Sequence, residues 1–312
     1  MTAFAALFPG QGAQHPGMGK EIASQNPAAA EVFDDADRAL GYRLSTLCFE
    51  GPESELIKTE ITQPSILTVA VATFRAFLAR GGTPPIAAAG HSLGEYAAHV
   101  AAGTMSFEDA VRSVSQRGRF MQEAVPPGEG AMAAILGLDR AAVAAVCSAA
   151  AQGQIVSLAN LNGPDQIVIA GHAAAVARAC EAAIGSGAKR AIPLQVSAPF
   201  HCALMQPAAT RLAAVLDGVT FCDPSLPVYT NADAAPVRTA ETARDALVRQ
   251  VASPVRWDEE VSRMADDGIT TFVEFGPGRV LAGLVRRIRK GARVLSVPDA
   301  AGLDAALTEL GS

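Results

Sequence analysis

A serine stands between two glycines in Gly90-His91-Ser92-Leu93-Gly94, behind the apolar run IAAA and ahead of the alanine-rich YAAHV. A serine hydroxyl is a weak nucleophile in water, so the pattern carries chemistry only if the fold supplies a base and a trap for negative charge. A strand, a G-x-S-x-G turn and a helix supply part of that requirement. The glycines allow a tight turn that projects the hydroxyl, and the free N–H groups at the start of the helix point to the same place. Without those flanks the five residues are an ordinary structural turn.

Five histidines are candidates for the base: His15, His91, His99, His172 and His201. His91 adjoins the serine and should be turned away from it. His15 lies in the first loop, and His99 falls mid-helix in a structural position. His172 opens a helix, where capping is as good a role as any. His201 follows Ser197-Ala198-Pro199-Phe200, where the chain returns from one folding unit to another, and it is the best placed of the five.

An arginine adds a possible anion site. On the helix expected over 106–123, Phe107, Ala110, Val111, Val114, Gly118 and Met121 form one apolar stripe. At about 100° per residue, Arg112 and Arg119 project away from that stripe and Arg117 borders it. An arginine there requires an anion, because an unpaired desolvated charge is costly. A substrate carboxylate and an internal Asp or Glu meet that need equally well.

Hydrophobic periodicity outlines the elements that must position these groups. AFAALF reads as a buried strand leading into the turn-like PGQGAQHPG. A helix is expected over 63–80 with Ile66, Val69, Ala70, Phe74 and Phe77 inward, then a strand at IAAAG, then helices over 93–102 and 106–123. Ser106 is placed as N-cap of the last, with Asp109 completing a capping box. The VPPG at 125–128 breaks the pattern. Beyond it, strands over 131–136, 154–159, 166–170 and 191–196 alternate with helices over 140–150 and 173–184, and NGPD at 162–165 forms a hairpin connection. This is a β-α-β-β-α-β order. Helices then resume, with strands near Val228 and over 272–275. The expected fold is α/β: a large α/β-hydrolase-like domain from 1–126 plus 198–312, interrupted by a small ferredoxin-like α+β domain at 127–197. The cleft between two such domains is a natural ligand site.

Composition narrows the class. The chain has 312 residues, 50% hydrophobic and only 18% charged, which describes a packed globular protein. A net charge of −6 argues against non-specific nucleic-acid binding. The opening MTAFAALFPG lacks a basic signal-peptide n-region, and no apolar run reads as long enough to span a bilayer, so a cytoplasmic protein without membrane association is expected; a monomer is expected as well. The odd, dispersed Cys48, Cys147, Cys180, Cys202 and Cys222 suggest neither disulfides nor a metal site. Two basic clusters, Lys189-Arg190 and Arg286-Arg287 with Arg289-Lys290, are either solvated surface or a docking patch for an acidic partner.

Several segments recur in order along the chain: FPGQGAQ at 8–14, Gln63, GHSLGEY at 90–96, QRG at 116–118, SAPFHCALMQPA at 197–208, NADA at 231–234 and EFGPGRVLAGL at 274–284. Together they resemble the malonyl-CoA:acyl carrier protein transacylases, acyltransferases that load extender units for fatty acid synthesis. The resemblance covers essentially the whole chain. It implies that Ser92 is the nucleophile, His201 its general acid–base, and the Gln250 backbone carbonyl the group that orients the histidine. The Gln11 and Leu93 backbone N–H groups would form the oxyanion hole, which gives the glycines of PGQG a reason. Arg117 would grip the malonyl carboxylate with its guanidinium fork, with Gln63, Met121 and Phe200 also on the substrate. In related polyketide synthase domains a Phe just before the histidine goes with malonyl and a Ser with methylmalonyl, so Phe200 implies little room for an α-methyl group.

The implied substrates are malonyl-CoA and the phosphopantetheine thiol of acyl carrier protein, with no metal or redox cofactor. Carrier proteins of this type are acidic, which favours Lys189, Arg190, Arg286 and Arg287 as docking charges. The alternatives are a discrete acyltransferase serving a polyketide synthase in trans, an esterase or thioesterase of the α/β-hydrolase type, and a non-catalytic carrier-binding scaffold. The hydrolases usually run Ser…Asp/Glu…His with the histidine near the C-terminus and an HGGG-type loop. Here 111 residues follow His201, with no histidine among them.

Overall fold

The computed structural model describes residues 2–311. Two sheets organise the chain. The larger contains β1 (Ala5–Phe8), β2 (Ala87–Gly90), β7 (Val228–Thr230), β8 (Ala235–Val237), β9 (Thr271–Phe275) and β10 (Arg293–Val297), in the order β10-β9-β1-β2-β7-β8. Every pairing is parallel except β7 with β8. β1 and β2 read AALF and AAAG and are buried along their whole length, as befits central parallel strands covered on both faces. Phe4, Phe8, Phe74, Phe77 and Phe275 pack ring to ring on one face, at centroid separations of 5.2–6.3 Å.

The second sheet contains β3 (Gly130–Leu136), β4 (Val156–Gly163), β5 (Gln166–His172) and β6 (Arg190–Pro193), antiparallel throughout in the order β4-β5-β3-β6. Helices Arg140–Ala151 and Ala173–Gly185 share one core with it. The β-α-β-β-α-β element order expected of this stretch is the observed one.

Several boundaries differ from the expectation. The first long helix spans Thr59–Ala79, beginning four residues before Gln63 and running through Pro64. The proline removes only the bond to the Glu60 carbonyl, and the preceding turn is held by Lys58, whose carbonyl accepts from Ile61 and Thr62. This helix is also long and apolar enough to cross a membrane, contrary to the reading of the sequence, with a mean hydropathy of 1.3 over its best window. That window is 83% buried inside the protein. Its polar residues obscure the run in the sequence, and two of them are satisfied within the helix: Thr68 and Thr73 donate to the carbonyls of Pro64 and Val69. β4 extends to Gly163 because two register shifts carry it past Leu158 and Leu161, so Asn162 and Gly163 belong to the strand and only Pro164-Asp165 turn. β6 stops at Pro193, and Leu194–Val196 instead line a cavity.

Parallel order fixes where a ligand can bind. β1 and β2 are in register with Phe8 opposite Gly90, so the loops leaving their carboxyl ends emerge side by side. One carries Gln11 and the other Ser92. Crevices at the carboxyl ends of parallel strands are the usual ligand sites of open α/β sheets.

Candidate active site

β2 ends at Gly90, and helix Gly94–Ala101 begins four residues on. Ser92 takes up the whole reversal with φ of 53°, a left-handed conformation that non-glycine residues rarely adopt. The flanking glycines are required by space. A Cβ at Gly90 would meet Gly94 backbone at 2.0 Å, and one at Gly94 would meet the Phe8 carbonyl oxygen at 2.1 Å. Strain at one residue, held by close backbone contact on both sides, presents the hydroxyl to the cleft.

Ser92 Oγ lies 2.7 Å from His201 Nε2. His201 Nδ1 lies 3.0 Å from the Gln250 backbone oxygen. A carbonyl only accepts, so Nδ1 carries the proton and Nε2 offers its lone pair to the serine hydroxyl. Burial, and after it the Arg117 charge, pushes the His201 pKa down to about 3. The imidazole is therefore neutral at neutral pH, with an unprotonated Nε2 facing the serine hydroxyl. His91, adjacent in sequence, is indeed turned aside, with Nε2 2.9 Å from Asn162 Oδ1. His99 is buried in the last turn of helix Gly94–Ala101, not mid-helix as expected. His172 stands at a helix N-cap but makes no capping bond; its Nδ1 instead accepts from the Ile155 N–H, which ties β5 to the start of β4.

Arg117 is 1% exposed, and among the described residues it has no carboxylate ion-pair partner. The internal salt bridge that its place on the helix allowed is absent there. Nη1 donates to Gln63 Oε1 at 2.8 Å, and Nη2 donates to Gln250 Oε1 at 2.8 Å and Ser92 Oγ at 3.1 Å. Among the described residues its Nε has no hydrogen-bond partner. Gln63 is held in turn by its Nε2, 3.7 Å from Met121 Sδ. A buried guanidinium bonded only to neutral groups retains an unmet demand for an anion. Arg112 and Arg119, by contrast, have half-exposed side chains, as their helix angles predict.

A cavity of about 310 Å³ joins these groups. Ser92, His201, Arg117, Gln11, Leu93, Gln63, Met121 and Phe200 all lie on its wall, and Gln250 lies directly behind. Among the described residues, neither the Gln11 nor the Leu93 backbone N–H has a hydrogen-bond partner. A second cavity of about 260 Å³ adjoins the first, shares Gln11, His91, Asn160 and Leu194 with it, and reaches Arg287. The other proposed docking charges lie elsewhere. Arg286 Nη2 donates to the Val294 carbonyl, Arg190 pairs across from Leu136, and Lys189 packs over Gly137. β6 begins at Arg190, and Leu194, the residue after its end, lies on the cavity wall.

A polar layer lies beneath the turn; its bonds are not legible in the sequence, although Glu95 and Asn231 fall within the GHSLGEY and NADA segments. The Gln250 side chain donates from Nε2 to the Ser92 carbonyl at 2.9 Å and to Glu95 Oε2 at 2.8 Å. Gln250 thus touches the serine backbone, the histidine and the arginine at once. Glu95 is fully buried and its pKa is pushed up to about 7, chiefly by burial. Asn231 accepts the Ser92 N–H at 2.7 Å. The local signal was Glu95 itself, a carboxylate in a helix whose only other acidic or basic residue is His99.

Fold and site together define a mixed α/β protein whose serine and histidine meet at the carboxyl ends of parallel strands, an arrangement suited to acyl transfer. Residues 6–303 match the model of the acyl transferase domain family, and the chain belongs to that family. It is 50% identical over 309 residues to the malonyl CoA-acyl carrier protein transacylase of Salmonella typhimurium, covering 99% of this chain and 100% of that one. Among solved structures, the malonyl CoA-acyl carrier protein transacylase of Coxiella burnetii superposes with a TM-score of 0.97 at 46% identity, covering 100% and 98% of the two chains. A malonyl-transacylase solved in complex with its type II PKS acyl-carrier protein superposes with a TM-score of 0.96 at 49% identity, covering 99% and 100%.

Proposed function

We propose that this chain transfers the malonyl group from malonyl-CoA to the phosphopantetheine thiol of acyl carrier protein, in fatty acid synthesis, through a malonyl-serine ester. The observation that carries the reading is a buried arginine, without an acidic partner among the described residues, 3.1 Å from a serine hydroxyl that faces a neutral histidine. Full-length similarity to transacylases of that name supports it.

In the first half-reaction Ser92 Oγ attacks the thioester carbonyl as its proton passes to His201 Nε2. The imidazolium is stabilised by the Gln250 carbonyl on Nδ1. Negative charge on the carbonyl oxygen is taken up by the free Gln11 and Leu93 N–H groups; a donor of this kind is worth about 3–4 kcal/mol of barrier. The C–S bond breaks, His201 returns the proton to the departing CoA sulfur, and the ester remains. In the second half the carrier thiol gives its proton to His201 and attacks the ester, and Ser92 recovers the proton as C–O breaks. No electron transfer occurs, and the groups named suffice for every proton. Arg117 holds the distal carboxylate throughout, while Phe200 narrows the space for an α-methyl group.

The larger sheet and its helices, from 1–126 plus 198–312, would be one hydrolase-like domain. Residues 127–197 would be the second, ferredoxin-like by element order, with the cleft between them. The structural match to a transacylase bound to a type II PKS carrier favours one second reading, service to a polyketide carrier, which differs only in the partner. Mixing the protein with malonyl-CoA should add one malonyl group by intact mass, and adding holo carrier protein should remove it. An unmodified protein refutes the proposal. Fatty acid and polyketide carriers offered separately decide the pathway.

Lys189, Arg190, Arg286 and Arg287 are proposed to steer the acidic carrier to the mouth of the cleft. Lys189→Glu is expected to raise the apparent KM for carrier protein about tenfold at low salt, with the effect shrinking as salt screens it. KM for malonyl-CoA should hold steady. Equal changes for both substrates would show that the charge does not discriminate the partner.

A further inference from the structure

Asn231 stands one residue beyond the end of β7, and nothing in the chemistry above uses it. β7 runs parallel to β2 with Ala89 opposite Tyr229, so Asn231 arrives level with the serine turn. Its side chain is fully buried. Oδ1 accepts the Ser92 N–H at 2.7 Å, and Nδ2 donates to the Gly90 carbonyl at 2.8 Å. The second Nδ2 hydrogen goes to Glu260 Oε1 at 2.9 Å, and Oδ1 also accepts from Gln250 Nε2 at 3.2 Å. Both donors and both lone pairs are used, which fixes which way the amide faces.

The pair Gly90 C=O, at the end of β2, and Ser92 N–H, two residues on in the turn, is bonded as a neighbouring parallel strand would bond such a pair with the C=O and N–H of one residue. Here a carboxamide takes the place of that residue. The ladder is extended past the point where β7 itself ends, and the turn is clamped at both ends across His91. We propose that Asn231 is a positioning residue: its side-chain amide completes the sheet ladder under the nucleophile turn and holds Ser92 in its left-handed conformation, with Oγ aimed at the cleft. Below it, Glu260 fixes the amide, and Gln250 holds the Ser92 carbonyl from the other side. The inference rests on Ser92 being the reactive group.

The test reads serine reactivity with and without malonyl-CoA. In Asn231→Ala, the rate of Ser92 labelling by a small fluorophosphonate and the rate of malonylation should both fall about 100-fold, the loss that a displacement of about 1 Å produces. Binding of malonyl-CoA, measured by calorimetry in a Ser92→Ala background with and without Asn231→Ala, should change less than about threefold, because none of the groups that grip the substrate is removed. A labelling rate within about threefold of wild type overturns the proposal, since a displaced hydroxyl cannot keep its reactivity. So does a loss of binding as large as the loss of rate, which would mean that the whole site had collapsed. Should Asn231→Ala fail to fold, Asn231→Asp keeps the shape and the acceptor for Ser92 N–H but loses the Nδ2 donors. Its labelling should be about tenfold slower, and wild-type labelling would again overturn the proposal. If wild-type protein is labelled by the fluorophosphonate but never by malonyl-CoA, the transacylase reading falls, while the labelling rates of the variants still decide the role of Asn231.

Discussion

Ser92→Ala is expected to take up no malonyl group from malonyl-CoA at all, and to lower transfer to carrier protein by about 10⁴-fold or more, the range seen when a catalytic serine is removed. The expectation is sharp because the site around the serine does not depend on its hydroxyl. His201 keeps its bond to the Gln250 carbonyl, and Arg117 keeps Gln63 and Gln250. The backbone bonds to Asn231 and Gln250 are unaffected by a side-chain change. Alanine is no more strained at φ 53° than serine, since both carry a Cβ. The variant should therefore fold, bind malonyl-CoA and remain unmodified when examined by intact mass. A covalent malonyl adduct on the variant would place the nucleophile elsewhere and remove the basis for the roles given to His201, Gln11 and Leu93.

How far the site was legible in the sequence follows from the range over which each residue is determined. The serine turn is a local object: strand, glycines and helix are contiguous, and steric exclusion at Gly90 and Gly94 leaves few alternatives. Arg117 was legible by helical angle, because its burial is set by the stripe on its own helix. The partner of that arginine was not, since the angle specifies a need for bonding but not the group that meets it. His201 stood out from four other histidines only weakly by position; the resemblance supplied its role, and the 2.7 Å contact with Ser92 agrees with it.

The residues left unread share one property. Glu95, Asn231 and the Gln250 side chain bond to partners as far as 158 residues away, and no periodicity marks a polar residue whose bonds are non-local. The same holds for β4, which ran past an apparent Asn-Gly turn because bulges let a strand absorb residues that local propensity assigns to loops. Local rules are reliable where sterics decide and silent where a distant hydrogen bond decides.

Substrate choice gives the second large effect. Arg117→Ala is expected to lower kcat/KM for malonyl-CoA about 10³-fold while changing that for acetyl-CoA less than about threefold, so that the preference itself collapses. Two charge-assisted hydrogen bonds to a carboxylate at about 1.5–3 kcal/mol each total about 3–6 kcal/mol, and tenfold corresponds to about 1.4 kcal/mol. The lower end of that range already gives a factor of more than 10². Acetyl-CoA cannot draw on this energy, because it leaves the guanidinium facing no carboxylate. The variant also loses the donors to Gln63 and Gln250, and with them some stability. The ratio of the two substrates corrects for this, since any unfolded fraction lowers both rates equally. Arg117→Lys separates charge from geometry. A shorter ammonium keeps the attraction but not the planar fork, so its malonyl-to-acetyl ratio should fall between those of the wild type and the alanine variant. An unchanged ratio in Arg117→Ala would mean that the carboxylate is bound by some other group, and that the buried guanidinium serves only to hold Ser92 Oγ and the two glutamines in place.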